Sequence, residues 1–153
     1  MKNIVAADIG AIQNFARIQP NIAVSGQPNE ENLKKASESG YKTIINLRPR
    51  EEWPFDEESL VKDLGMNYVL IPIADPESLD FEKAKQLNTI LQDKSAYPLL
   101  IHCGSSNRVG ALYALHEHLE KKIPAEKAIE IGKKAGMTSP ALEERVRALI
   151  KKK

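Results

Sequence analysis

Cysteine is almost absent from the chain, which holds one, Cys103. A single thiol rules out an internal disulfide and a pair of resolving thiols, so stability rests on packing, and the cysteine is either inert filling or chemistry. An excess of charge of one sign is lacking too. The 22 Lys and Arg face 21 Asp and Glu, which leaves no electrostatic footprint for nucleic acid or a membrane surface and makes any basic recognition local. No apolar run approaches the roughly 20 residues that cross a bilayer, and the one in MKNIVAADIGAIQNF is too short for a signal peptide. A cytoplasmic protein is the expectation, although a leader already removed would leave no trace. GxGxxG and Walker-type GKS or GKT are both missing, so nucleotide-dependent chemistry has no support. His116 and His118 stand two apart on a helical pattern and cannot face one metal together, and no metal site or cofactor is expected.

What is present suits an ordered globular chain. Its 153 residues, 42% apolar and 28% charged, fit a single domain over 1–153 with a real core. Short apolar runs bounded by breaker residues read as strands: IAV before Ser25, TIINL at Thr43 to Leu47, YVLIPI at Tyr68 to Ile73, and PLLIH at Pro98 to His102. Helical patterns lie between them. They cover Asn29 to Ser39 ending at Gly40, Asp56 to Leu64 ending at Gly65, and Phe81 to Leu91 capped by Asp80. This alternation predicts an α/β fold, a mostly parallel sheet of four to five strands flanked by helices. After Arg108 only helices follow: Val109 to Lys121, Pro124 to Lys134, and one capped by Ser139-Pro140 that runs to Lys151, together read as a C-terminal helical appendage. The final Lys-Lys-Lys reads as a solvated helix end.

Parallel strands send their following segments to one sheet edge, the carboxyl edge where open α/β folds bind ligands. SGQP (Ser25 to Pro28), RPREE (Arg48 to Glu52), ADPE (Ala74 to Glu77) and CGSSNR (Cys103 to Arg108) should therefore face one another. In the last of these, small residues between a buried strand and a helix start let successive N–H groups point at an anion, with the helix dipole behind them. The same field stabilises a thiolate. Arg108 can then hold two oxygens of a tetrahedral oxyanion in bidentate fashion. A buried structural thiol is the alternative for Cys103, and the flanking His102, polar loop and Arg108 argue against it. His102 reads as a residue that orders the loop. Arg48 and Arg50 carry two readings of equal weight, surface partners of Glu51 and Glu52 or attractors of an anionic substrate, and only one of them need face inward. Ser25 and Gln27 are pocket candidates on a turn that is otherwise a structural corner. Trp53 and Tyr68 read as packing or rim residues.

IHCGSSNRVGA resembles the signature of the cysteine-dependent protein tyrosine phosphatase superfamily, in which His-Cys ends a strand, an arginine ends the loop and a helix follows. AVSGQPNEENLKKASESGYKTIINLRPREE and NYVLIPIADPE are similar to the phosphatase-like (DUF442-type) domain attached to beta-lactamase-like hydrolases, a bacterial branch also similar to the atypical dual-specificity phosphatases. The resemblance implies that Cys103 forms a phosphocysteine, that Arg108 binds the phosphoryl oxygens and that Asp75 is the general acid, with Glu77 and Asp80 as second choices. With the loop read as an anion nest and Arg48 brought near it by the parallel sheet, Gly104, Ser105, Ser106 and Asn107, with His102 and Arg48, are the expected seat for the phosphate of a phosphorylated small molecule or phosphoprotein. Two positions depart from the pattern. Cys103 and Arg108 enclose four residues where the superfamily usually has five, and Val109 stands where phosphatases usually carry Ser or Thr. The bacterial branch often shares the short spacing. The tighter loop also suits a rhodanese-like sulfurtransferase working through a Cys103 persulfide, and a non-catalytic anion-binding module is the third reading.

Overall fold

A computed structural model describes residues 4–153, so the first three residues of the stretch read for a leader lie outside it. The strands are β1 (Ala16–Gln19), β2 (Ile22–Ser25), β3 (Thr43–Asn46), β4 (Asn67–Leu70) and β5 (Leu99–His102). Their order in the sheet is β1-β2-β5-β3-β4. The last four run parallel, as the alternation of elements predicts. β1 was not foreseen: it adds an antiparallel edge to β2 through a tight reversal. Its Ala-Arg-Ile-Gln is only partly buried and too short for an apolar run to stand out.

The helices are α1 (Glu30–Glu38), α2 (Glu57–Asp63), α3 (Phe81–Leu91), α4 (Asn107–Lys121), α5 (Ala125–Lys134) and α6 (Pro140–Lys152). Asn29, Asp56, Asp80 and Ser139 each accept a backbone N–H of the first turn, satisfying groups the helix itself leaves free. Gly40 and Gly65 follow α1 and α2 with φ of 91° and 83°, the left-handed conformation that ends a helix cheaply only in glycine.

Side chains alternate across each strand, and here the alternation sorts the core into two layers. Ile22, Val24, Ile45, Leu99 and Ile101 pack with α3, α4, α5 and α6. Ala23, Ile44 and Leu100 pack on the other face with Leu33 and Ala36 of α1 and Val61 of α2. The expected C-terminal appendage is corrected by this arrangement. Ten consecutive residues of α4, Val109 to His118, are buried, so α4 is central to one layer rather than attached to it. Its stretch from Val109 to Leu115 has no charged side chain on any face, the signature of an interior helix.

α4 meets α5 at Gly110 and Gly132. A Cβ on Gly110 would stand 2.3 Å from the Gly132 carbonyl oxygen and 2.5 Å from Met137 N. Gly110→Ala is therefore expected to lower the urea midpoint by the equivalent of about 1–3 kcal/mol, the usual cost of overpacking a filled core, with the denaturant slope unchanged. A midpoint equal to that of wild type would disprove the close contact.

Candidate active site

The parallel register aligns Ser25, His102 and Asn46 across the carboxyl edge. Cys103 follows β5 directly, its N–H donating to the Ser25 carbonyl at 3.3 Å. Alternation now divides two neighbours. His102 shares the face of Leu100 and turns toward α2, whereas Cys103 joins the layer that holds α4. Cys103 is fully buried beneath its loop.

The loop's carbonyls are drawn outward. Gly104 O accepts from Gln27 N at 3.1 Å, and Ser105 O accepts from the Asn14 side chain at 2.8 Å. Cys103 O lies 3.2 Å from His102 Nδ1. In a planar trans peptide C=O and N–H point opposite ways, so the amides of Gly104, Ser105 and Ser106 are turned toward the interior of the loop. The third is seen to do so, donating to Cys103 Sγ at 3.1 Å. A nest of this kind favours negative charge at its centre. Gly26 and Gly104 permit the close approach behind it, since a Cβ on Gly26 would stand 2.6 Å from Gly104 O.

Arg108, in the first turn of α4, donates to Ile73 O at 2.9 Å and to both oxygens of Glu52 at 2.9 and 3.2 Å. Arg48 donates to the same Glu52 Oε1 at 3.2 Å and to Gln27 Oε1 at 2.8 Å. Both guanidiniums stand over Gly104, 3.4 and 3.9 Å from where its Cβ would be. Burial opposes the charge on Arg108, but Glu52 and the adjacent Cys103 outweigh it and hold the guanidinium pKa above its usual value. The bond from Arg108, aided by Arg48 and opposed by burial, holds the Glu52 carboxyl below the usual carboxylate range. Of the two arginines weighed from sequence, Arg48 faces inward. Arg50 points out, pairs with Glu58 rather than Glu51, and lies over the Trp53 ring at 4.8 Å.

Asp75 is exposed at the rim, on the loop after β4. Its Oδ1 accepts from Ser78 N and Oγ at 2.9 and 2.8 Å, and it shares with Arg108 a cleft of about 280 Å³ completed by Ala74, Pro76, Asn107, Ser139 and Leu142. The Asp75 turn is clamped from α6, where Arg145 donates to Leu79 O at 2.9 Å and Glu77 O at 3.2 Å. Asp80 is occupied as the α3 cap. Two loop side chains expected at an anion are engaged elsewhere. Asn107 Oδ1 accepts from Thr138 N and Ser139 N, and Ser106 Oγ donates to Ala135 O. What they can offer an anion is backbone. His116 and His118 reach different partners, Asn88 with Glu117, and Ile123 O.

Several contributors escaped the sequence reading. Glu52 was weighed only as a surface partner, and Asn14 and Arg145 carry no local signal. Glu57 is hidden by a sufficient local explanation, an acidic residue in a first helical turn. It is fully buried and accepts from Gln27 Nε2 at 2.7 Å and Tyr68 OH at 3.1 Å, with His102 Nε2 at 2.6 Å. Burial pushes its carboxyl up, but the charge of His102 and these hydrogen bonds outweigh burial and hold it below its usual range. Tyr68, read as packing or rim, is its partner, and burial together with Glu57 pushes the phenol up.

Because Glu52 titrates lower in the folded chain than when unfolded, its contribution to stability is complete above the usual carboxylate range and is lost as pH falls through its lowered value. The drop in urea midpoint between pH 7 and pH 3 should thus be smaller in Glu52→Gln than in wild type. Equal drops would show that the two arginines do not depress it.

The sequence model of one family, "DSP-PTPase phosphatase fused to NAD+ Kinase", matches residues 12–147. The Beta-lactamase hydrolase-like proteins of Xylella fastidiosa (strain Temecula1) and Agrobacterium fabrum are 28% and 29% identical over 120 and 125 residues, covering 75% and 78% of this chain. The match takes up 27% and 28% of those proteins, so the chain spans about a quarter of their length. A DUF442 protein of Shewanella putrefaciens CN-32 superposes with a TM-score of 0.71 at 25% identity, over 92% of this chain and 88% of that one. The core catalytic domain of the PP-IP phosphatase SIW14 of S. cerevisiae shares the fold, with a TM-score of 0.73 at 18% identity over 91% and 87% of the two chains. The chain belongs to the DSP-PTPase phosphatase family, among the cysteine-dependent, protein tyrosine phosphatase-like phosphatases.

Proposed function

We propose that the protein hydrolyses a phosphomonoester through a phosphocysteine. The observation that carries this reading is the nest itself: Sγ of Cys103 beneath inward-turned amides, with Arg108 closing the loop. In the first displacement the cysteine sulfur attacks phosphorus, the bond to the leaving oxygen breaks, and protonated Asp75 gives that oxygen its proton. In the second, water attacks phosphorus, the Asp75 carboxylate takes a proton from it, and the P–S bond breaks to release phosphate and the sulfur. Arg108 and the amides hold the non-bridging oxygens, whose charge is stabilised most in the transition state. Arg48 adds a second cation over the loop. The cleft between Asp75, Arg108 and Leu142 receives the leaving group of a phosphorylated small molecule or phosphoprotein residue. Val109, buried where a hydroxyl usually stands, gives the departing sulfur no donor, so slow release from the phosphocysteine is expected.

The six-residue loop favours one second reading, sulfur transfer through a Cys103 persulfide. The two separate by donor. Hydrolysis of p-nitrophenyl phosphate should vanish in Cys103→Ser. Asp75→Asn should lower kcat/KM about 10²-fold or more on an alkyl phosphate and less on p-nitrophenyl phosphate, whose good leaving group needs little acid help in the first displacement. Wild-type release no greater than that of Cys103→Ser, alongside thiocyanate production from thiosulfate and cyanide, would replace the phosphatase reading with sulfur transfer. The mass of the intact protein after each donor identifies the adduct.

A further inference from the structure

The buried carboxylate of Glu57 has no place in the displacement steps, yet three side chains converge on it. Tyr68 OH accepts from Asn46 Nδ2 at 2.8 Å, which leaves its own hydrogen for Glu57 Oε2. Gln27 Nε2–H donates to Oε1 and His102 stands 2.6 Å from Oε2. A group receiving donors on every side is the carboxylate, and a fully buried carboxylate needs a paired charge. The groups around the pair are Gln27 from the loop after β2, Tyr68 from β4 with Asn46 of β3 behind it, and the backbone carbonyl of Cys103 next to His102. Arg48 is held one step away by Gln27 Oε1. Among the described residues, His102 is the one side chain in contact with Glu57 that can carry positive charge.

The ring's other nitrogen agrees. Nδ1 lies 3.2 Å from Cys103 O, and a carbonyl oxygen only accepts. Both ring nitrogens thus meet acceptors, and the ring form that satisfies both is the imidazolium. Its Nδ1–H turns the Cys103 carbonyl outward, which points the Gly104 amide in. The Gln27 branch does the same one peptide later, through Gln27 N to Gly104 O at 3.1 Å.

We propose that Glu57 is a positioning residue: it holds His102 as a buried imidazolium and Gln27 in place, and through them orients the first two amides of the anion seat. This rests on the phosphatase reading only for its effect on turnover, because the seating of an anion can be measured without it.

The test is ring-nitrogen NMR of the 15N-histidine-labelled full chain at pH 7, with the His102 signals identified by their loss in His102→Gln. Wild type should show both ring nitrogens of His102 protonated, and Glu57→Gln should show one. Glu57→Gln should weaken binding of inorganic phosphate at least 10-fold. Tyr68→Phe, which removes one donor and leaves the charge pair, should keep the doubly protonated ring and wild-type phosphate affinity. A neutral His102 ring in wild type, a measurement that needs no variant to fold, would overturn the proposal. So would a Glu57→Gln protein that binds phosphate as wild type does. A wild type that shows the imidazolium and the 10-fold affinity difference but hydrolyses nothing would refute the phosphatase reading and uphold the role of Glu57 in seating the anion.

Discussion

Three carbonyl oxygens bonded away from the loop, those of Cys103, Gly104 and Ser105, make the rest of the site possible. A peptide has one N–H and one C=O fixed on opposite sides, so turning the second outward is the only way to turn the first inward. Each carbonyl is held by a different part of the chain: the imidazole that ends β5, the amide after β2, and the side chain of Asn14 before β1. Asn14 itself stands at φ 58°, a left-handed conformation asparagine tolerates better than most. The ring of inward amides is thus built by distant segments acting on a few peptides, and small loop residues are what let them do so.

The pleat of the sheet then separates the machinery into two sides. Cys103 enters the layer of α4, whose N-terminus lies at the loop, while His102, one residue earlier, reaches across to α2. A buried ion pair is weak support for stability, because desolvation consumes much of the attraction. Glu57 and His102 make more sense as a geometric constraint, since the pair links β5, α2 and the β2 turn at the place where loop orientation is set. Glu52 has a different character. It bridges two guanidiniums at the partly exposed rim and holds them side by side over the loop.

Family and chemistry meet at the loop rather than in the fold, which supports many activities. The four-residue spacing and Val109 distinguish this chain within the superfamily pattern, and under the proposed phosphocysteine route Val109 bears on how long a phosphoryl group would stay on sulfur. The rim cleft is bounded partly by α6, which also clamps the Asp75 turn through Arg145. The C-terminal helices therefore shape the mouth of the site, a role that an appendage would not have.

Local sequence determined much of the frame. Runs ended by breakers, caps at Asn29, Asp56, Asp80 and Ser139, and the alternation of strands with helices set the parallel sheet, and with it the loops that share one edge. The Cys103 to Arg108 loop between a strand and a helix was legible for the same reason, because its pattern lies in six adjacent residues. Tertiary structure alone decided which of Arg48 and Arg50 turns inward, that α4 is interior, that β1 completes the sheet edge, and that Ser106 spends its side chain on Ala135 just after α5 and Asn107 on the loop before α6. It also made Glu57 a buried partner of His102 across 45 positions. Local propensity reads hydrogen bonds and periodicity within a few residues, whereas a carboxylate buried by another element's approach leaves no mark near itself in the chain.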